Sequence, residues 1–246
     1  MSRVFQALER TEELRRRQVA PVLGAAPRNG SATKPPSAVD AGEFERLAGA
    51  VLQARTTTPF ATMLVACPHH GEGTSTVAVG LGMTLAGHLR VLLVDANFRS
   101  PSLADMLLEA QPQRGLVEML SSEPDAEVAV VETSVPGLRL VAAGEVDSGS
   151  PRLLQTARFQ RLMSLFADAS DLVIVDAPPI MPYADTLTLA SKVERVVLVT
   201  HAEHTQRGHL EQAKEELDKS GAAILGVVLN RKASHAPPWL QRRLNL

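Results

Sequence analysis

The sequence predicts a doubly wound, mainly parallel α/β sheet flanked by helices. Two observations point there: six short apolar runs, and longer amphipathic stretches alternating with them. The runs are MLVAC (63–67), VLLVD (91–95), LRLVAA (138–143), LVIVD (172–176), VVLVT (196–200) and ILGVVLN (224–230). Strands that are apolar at nearly every position are buried on both faces, which requires helices above and below the sheet. Segments 75–88, 151–168, 186–193 and 205–219 supply them, with apolar residues at helical spacing. Alternating units of this kind build a parallel sheet, whose ligands bind at the carboxyl ends of the strands.

At 246 residues the chain is one domain with tails, and 45% hydrophobic residues suffice for a proper core. A net charge of -2 gives no bulk attraction to nucleic acid or to anionic lipid. Cys67 is the sole cysteine, which excludes an internal disulfide and a cysteine-based zinc cluster and suits a reducing compartment. Apolar runs fall short of the ~18 residues that cross a bilayer, and the polar opening MSRVFQALERTEELRRR lacks a secretory h-region. A soluble, cytoplasmic protein is the expectation.

Residues 1–18 read as a charged helix with Val4, Phe5 and Leu8 on one side, either solvated or a docking or membrane-surface peptide. Residues 19–41, rich in Pro, Gly, Ser and Ala, read as a flexible linker. The main domain is expected over 42–232, with Asp40 capping its first helix and Phe44, Leu47, Val51 and Leu52 on the apolar face of that helix. Residues 233–246 form a tail whose Trp239 is a packing anchor or a partner contact.

Three strand ends carry chemistry. The first run leads into Pro68-His69-His70-Gly71-Glu72-Gly73-Thr74-Ser75-Thr76 and a helix. A Gly-rich turn of this kind lets backbone N–H groups converge on an anion, helped by the positive helix N-terminus. Ser75 occupies the place of the P-loop hydroxyl that ligates Mg²⁺. The match is partial, because Pro68 and Thr74 stand where the Walker A pattern has Gly and Lys, and a plain βα turn is the alternative. The second and fourth runs end in Asp95 and Asp176, the latter of Walker B type. Each aspartate alone could cap the next helix. Together with one anion loop they fit a Mg-nucleotide site better.

The residues GEG-ST (71–76), VLLVDANFRSP (91–101), GLVEML (115–120), VAAG…SPRLL (141–154), VIVDAPP (173–179) and ILGVVLNR (224–231) resemble the bacterial tyrosine kinases of exopolysaccharide and capsule biosynthesis. These are relatives of the MinD/ParA P-loop ATPases, and the opening MSRVFQALERTEE resembles the leader helix of some members. The resemblance implies that Gly71, Glu72, Gly73, Thr74, Ser75 and Thr76 hold the phosphates of ATP or ADP, and that Ser75, Asp95 and Asp176 hold Mg²⁺. It implies catalytic roles for Asp95, Arg99 and Asp176, and contact with the adenine base for Asn230 and Arg231. Asp185 matches a position at the mouth of the site, with a helix cap as the alternative. The implied partner is the cytosolic segment of a membrane polysaccharide co-polymerase (a chain-length determinant), which would recruit the protein to the inner face of the plasma membrane. A homo-oligomer is a further expectation; nucleic acid is not.

Four departures from the family pattern bear on activity. Thr74 replaces the lysine whose cation serves phosphoryl transfer, a loss that Arg99, or His69 or His70 if protonated, would offset, plain exposure being the alternative for the two histidines. The tail KASHAPPWLQRRLNL holds no tyrosine, and Tyr183 is the only one in the chain. Gly49 takes the place of the second arginine in the ring-forming helix, after Glu43 and Arg46. Asn97 removes one metal-site charge. The expectation is therefore an ATP-binding regulator with weak or no kinase activity. The alternatives are an active tyrosine kinase acting on other proteins, and an interaction protein that binds no nucleotide. A MinD-like dimer across ATP ranks last, for want of the loop lysines.

Overall fold

The computed structural model describes residues 38–121, 129–202 and 204–231, with side chains from residue 42 onward. The expected N-terminal helix, most of the linker and the tail with Trp239 lie outside them. Seven strands form one sheet: β1 (Thr62–Ala66), β2 (Val91–Asp95), β3 (Val131–Glu132), β4 (Leu138–Val141), β5 (Leu172–Asp176), β6 (Arg195–His201) and β7 (Ile224–Asn230). Their spatial order is β3-β4-β2-β5-β1-β6-β7. Every pairing is parallel except β3 with β4.

The helices are α1 (Ala38–Thr57), α2 (Thr74–Leu85), α3 (Leu103–Leu107), α4 (Leu116–Ser121), α5 (Ala157–Ala169), α6 (Asp185–Ala190) and α7 (Arg207–Lys219), with a 3-10 turn at Ser150–Gln155. Side chains alternate across a strand, and the core divides accordingly. Met63, Val65, Leu93 and Ile174 pack under α1 and α2 on one face. Leu64, Leu92, Val173 and Val175 pack under α5 and α7 on the other. The sheet is doubly wound as the continuous apolar runs require.

Local expectations are corrected in three places. α1 is under way at Ala38, so Asp40 stands in its first turn and does not precede it as a cap. The stretch 151–168 is two elements, because Thr156 is extended; its Oγ1 accepts from Phe159 N (3.4 Å) and starts α5 afresh. The strand β3 has two residues, too few for any periodic signal. β5 lies between β1 and β2, so the chain winds outward in both directions from the middle of the sheet, and the crevice opens above the ends of these three strands.

Candidate nucleotide site

β1 runs out at Ala66 and the chain reaches α2 through residues 67–73. Gly71 and Gly73 adopt φ of 83° and 89°, the left-handed region that a Cβ disfavours. Gly73 is the N-cap of α2 and supplies no side-chain cap. The first rung of the helix, Val77 N to Gly73 O (2.9 Å), leaves the N–H groups of Thr74, Ser75 and Thr76 ahead of the ladder. Asn230, at the end of β7, donates from Nδ2 to the Glu72 carbonyl (2.8 Å). A Cβ on Gly73 would stand 2.2 Å from that nitrogen, so the loop and the last strand are packed backbone to amide.

The two acidic strand ends meet beside this loop. Asp95 and Asp176 are direct partners in the β2–β5 register. Asp176 is fully buried; its Oδ2 accepts from Ser75 Oγ (2.6 Å), while Oδ1 is buried without a hydrogen-bond partner. Asp95 Oδ2 accepts from the N–H groups of Ser102 and Leu103, both at 3.0 Å, and Oδ1 from Asn97 N (3.2 Å). Asp95 thus receives the first N–H groups of α3 without being its N-cap, which is Ser102, and Asp176 caps no helix, so the cap alternative holds for neither. Burial pushes Asp95 up to about 6 against the pull of those three N–H groups. Burial, and then the Asp95 charge, pushes Asp176 well above the carboxylate range. Two desolvated like charges side by side are relieved by protonation or by a cation.

A cavity of about 490 Å³ opens here, lined by Gly71, Gly73, Thr74, Ser75 and Thr76 on one side and by Asn97, Ser100, Ser102 and Asp105 on the other. No lysine or arginine is among its lining residues. Thr74, in the lysine's place, is buried with Oγ1 unpartnered. Neighbouring Cys67 donates to the His69 carbonyl (3.0 Å), and burial pushes its thiol up to about 12, so it is an inert wall.

The remaining expected site residues lie around this centre. Glu72 turns its carboxylate away from the cavity, where Oε1 accepts from Thr205 Oγ1 (2.8 Å) and Oε2 is buried without a partner. Burial raises its pKa, against the opposing effects of the Thr205 hydrogen bond, the His69 backbone, His201 and His209. Arg99 is tied through Nε (2.9 Å) and Nη2 (2.7 Å) to Asp185 Oδ2, and its guanidinium lies 4.5 Å from the Tyr183 ring centre. Asp185 thus serves Arg99, and Ala184 is the N-cap of α6. His69 is held below the usual histidine range, by burial first and then by His209 and His70, so it is a poor cation. His70 stands edge-on to Tyr183 at 5.6 Å. Neither Arg99 nor His69 is among the residues lining the cavity, whereas the exposed His70 is. Asn230 clamps the loop, and Arg231 is exposed beyond it with φ 54°.

Sequence reasoning missed Ser102, Leu103 and Thr205. Ser102-Leu103-Ala104-Asp105 does have the spacing of a capping box, which marks a helix start in front of Asp95. Thr205 lies 133 residues from Glu72 and has no local signal.

The donor set suits Mg²⁺ with a nucleotide. Among the described residues no group of three or more His, Cys, Asp or Glu is arranged to hold a metal. Mg²⁺ needs less: one or two carboxylates, with water and phosphate completing its shell. The Ser75–Asp176–Asp95 arrangement, the unpartnered Asp176 Oδ1 and the free first-turn amides meet that need.

No family model matches the chain. The tyrosine-protein kinase CpsD of Streptococcus agalactiae is 35% identical over 162 residues, spanning 65% of this chain and 71% of that protein. Among solved structures, the kinase domain of VpsO aligns with a TM-score of 0.69 and 26% identity, over 80% of this chain and all of that one. The septum site-determining protein MinD of Pyrococcus horikoshii, complexed with Mg-ADP, aligns with a TM-score of 0.61 and 23% identity over 74% of this chain and 76% of that one, a likeness of fold.

Proposed function

The chain belongs to the bacterial tyrosine-protein kinase family, and on that premise we propose that it is a Mg-ATP-binding regulator of exopolysaccharide or capsule biosynthesis with weak or no kinase activity of its own. The observation that supports this reading is a corner of paired carboxylates beside a cavity lined by no lysine or arginine. Asp95, Asp176 and Ser75 stand together, while the lysine position holds the neutral, buried Thr74. Ser75, Asp95 and Asp176 would hold the metal, and the amides of residues 74–76 the phosphates. Bound Mg²⁺ would neutralise phosphate charge. The chain's own residues would bind and orient the triphosphate, but supply no lysine or arginine to charge developing on the transferred group.

By family resemblance the nucleotide state would be read by the cytosolic segment of a membrane polysaccharide co-polymerase, which would bring the protein to the inner face of the plasma membrane. Among the described residues no helix is long and apolar enough to cross a membrane. Assembly into a homo-oligomer would use α1, where Glu43 and Arg46 are exposed but Gly49 offers no side chain.

Calorimetric titration with ATP and ADP, with and without Mg²⁺, alongside transfer of labelled phosphate to a tyrosine peptide, tests the proposal. Mg-dependent binding without transfer is expected. Robust transfer abolished by Asp95→Ala would instead establish an active kinase, a reading favoured by the CpsD relative. No binding at all would leave a pure interaction protein.

A further inference from the structure

Among the described residues that line the cavity, one side chain can carry positive charge: His70, exposed on the loop that leads into α2. Its neighbour His69 is not part of the lining and packs its ring against His209 of α7, with centres 4.5 Å apart. Arg99 is outside the lining too, bound to Asp185 at 2.7 Å. Exposed side chains flip between rotamers within nanoseconds, but His70 is buttressed. Its ring stands at 85° to that of half-buried Tyr183, with centres 5.6 Å apart. Tyr183 is itself held twice. Ile180 N donates to the Cys67 carbonyl (2.8 Å) and Met181 N to the Pro68 carbonyl (3.1 Å), which staples the segment after β5 to the loop that carries His70. The Arg99 guanidinium lies over the Tyr183 ring at 4.5 Å, and Asp185 Oδ2 accepts from its Nε and Nη2. A line of contacts thus runs from Asp185 on α6 through Arg99 and Tyr183 to His70 at the cavity wall.

On the reading that this cavity takes Mg-ATP, we propose that protonated His70 is the side chain that meets the phosphate oxygens of the nucleotide, with Tyr183 and Arg99 as its positioning residues. An imidazolium has a donor on each ring nitrogen and forms charge-assisted hydrogen bonds with phosphate, which a neutral threonine in the lysine position cannot. Histidine is also the side-chain type that changes charge near neutral pH. The site therefore holds the phosphates through a cation that comes and goes with pH, where a lysine's would be permanent. The groups that face His70 are His69 on its own loop, Tyr183 beyond β5, Arg99 behind Tyr183, and Asp105 across the cavity. The Arg99 charge is offset by Asp185, and His69 is held below the usual histidine range by burial, His209 and His70, so it adds little positive charge of its own. The phosphates supply the negative charge that favours the protonated ring. The contribution of His70 grows as pH falls, whereas Asp95 and Asp176 must ionise to hold Mg²⁺ and act in the opposite sense.

Calorimetric titration of the full chain with Mg-ATP at about pH 6 and about pH 8 is the test, read as the ratio of the dissociation constants of variant and native chain. That ratio cancels the titration of Asp95 and Asp176, which both chains share. His70→Gln should bind roughly 10-fold more weakly than the native chain at about pH 6, and within about 2-fold of it at about pH 8. His70→Lys should match the native chain at the lower pH and bind roughly 10-fold more tightly at the higher one. Tyr183→Ala should reproduce part of the loss seen at the lower pH, and Tyr183→Phe, which keeps the ring, should not. Equal weakening by His70→Gln at both pH values, with no rescue by His70→Lys, would make His70 a structural loop residue and overturns the proposal. An affinity that His70→Gln leaves unchanged at both pH values also overturns it, leaving a plainly exposed histidine beside a nucleotide site that still binds. A native chain that takes up no Mg-ATP at either pH sinks the nucleotide reading itself, and the role of His70 with it.

Discussion

Gly71 and Gly73 adopt nearly the same left-handed backbone, yet their surroundings differ. Nothing stands within 4 Å of a Cβ on Gly71, while one on Gly73 meets the Asn230 amide at 2.2 Å. Gly71→Ala should cost only the backbone preference, about 1–2 kcal/mol. Gly73→Ala should add about 1 kcal/mol more, because Asn230 must release the Glu72 carbonyl. Urea midpoints of the two variants check this, and equal losses would mean that Asn230 does not clamp the loop. The neighbouring residue poses a question of charge. If Thr74 is what limits phosphate binding, Thr74→Lys should tighten Mg-ATP roughly 10- to 100-fold, the effect of one charge-assisted hydrogen bond. Calorimetry reads it directly, and an unchanged affinity would show that the cationic deficit is not the limiting feature.

Helix α1 docks on α2 through a ring laid against bare backbone. A Cβ on Gly80 would come 2.3–2.6 Å from ring atoms of Phe44, whereas Gly49, on the exposed side of α1, meets nothing. Gly80→Ala should therefore destabilise by about 1–3 kcal/mol through overpacking. Gly49→Ala should stabilise by about 0.5–1 kcal/mol through helix propensity alone. Opposite shifts in thermal midpoint are the check. At this scale the sequence was a good guide wherever burial is continuous: the six apolar runs become six strands, although β7, at the edge, leaves Val227 and Leu229 exposed. It misled where a single residue interrupts a pattern, as extended Thr156 does, or where an element is too short to have a period, as β3 is. The site was legible in the same uneven way. Gly71, Gly73, Ser75, Asp95 and Asp176 announce themselves by standing at strand ends. Glu72 also stands there, but its orientation is decided by Thr205, and the placing of Asn230 by a contact across 158 residues. No local spacing encodes such pairings.

Stability of the whole molecule carries the signature of the paired aspartates. Asp95 is raised from 3.8 to about 6, and Asp176 is raised well above the carboxylate range by burial and then by the Asp95 charge. A group whose folded pKa exceeds its unfolded value keeps protons that the unfolded chain has released, so stability falls as pH rises from about 4 through the folded pKa. Glu72 contributes with the same sign, and His69, lowered, with the opposite one. Asp171 is lowered by its Arg90 hydrogen bonds, so its support is lost only as pH falls below the usual carboxylate range. Melting curves from about pH 5 to 8 without Mg²⁺ avoid that last term, and comparison with Asp176→Asn cancels the first two. The native chain should lose stability with rising pH more steeply than the variant. At about pH 7.5 the variant should melt a few degrees higher, because ~1 kcal/mol shifts a chain of this size by roughly 2–4 °C. Saturating Mg-ATP should reverse the order. It should raise the native midpoint by the equivalent of ~2.7 kcal/mol at 100 times its dissociation constant, increasingly so as the carboxylates ionise, and leave Asp176→Asn almost unmoved. A variant no more stable than the native chain at pH 7.5 would mean that Asp176 is not held there as a desolvated charge, and a variant that Mg-ATP still stabilises fully would remove it from the metal site.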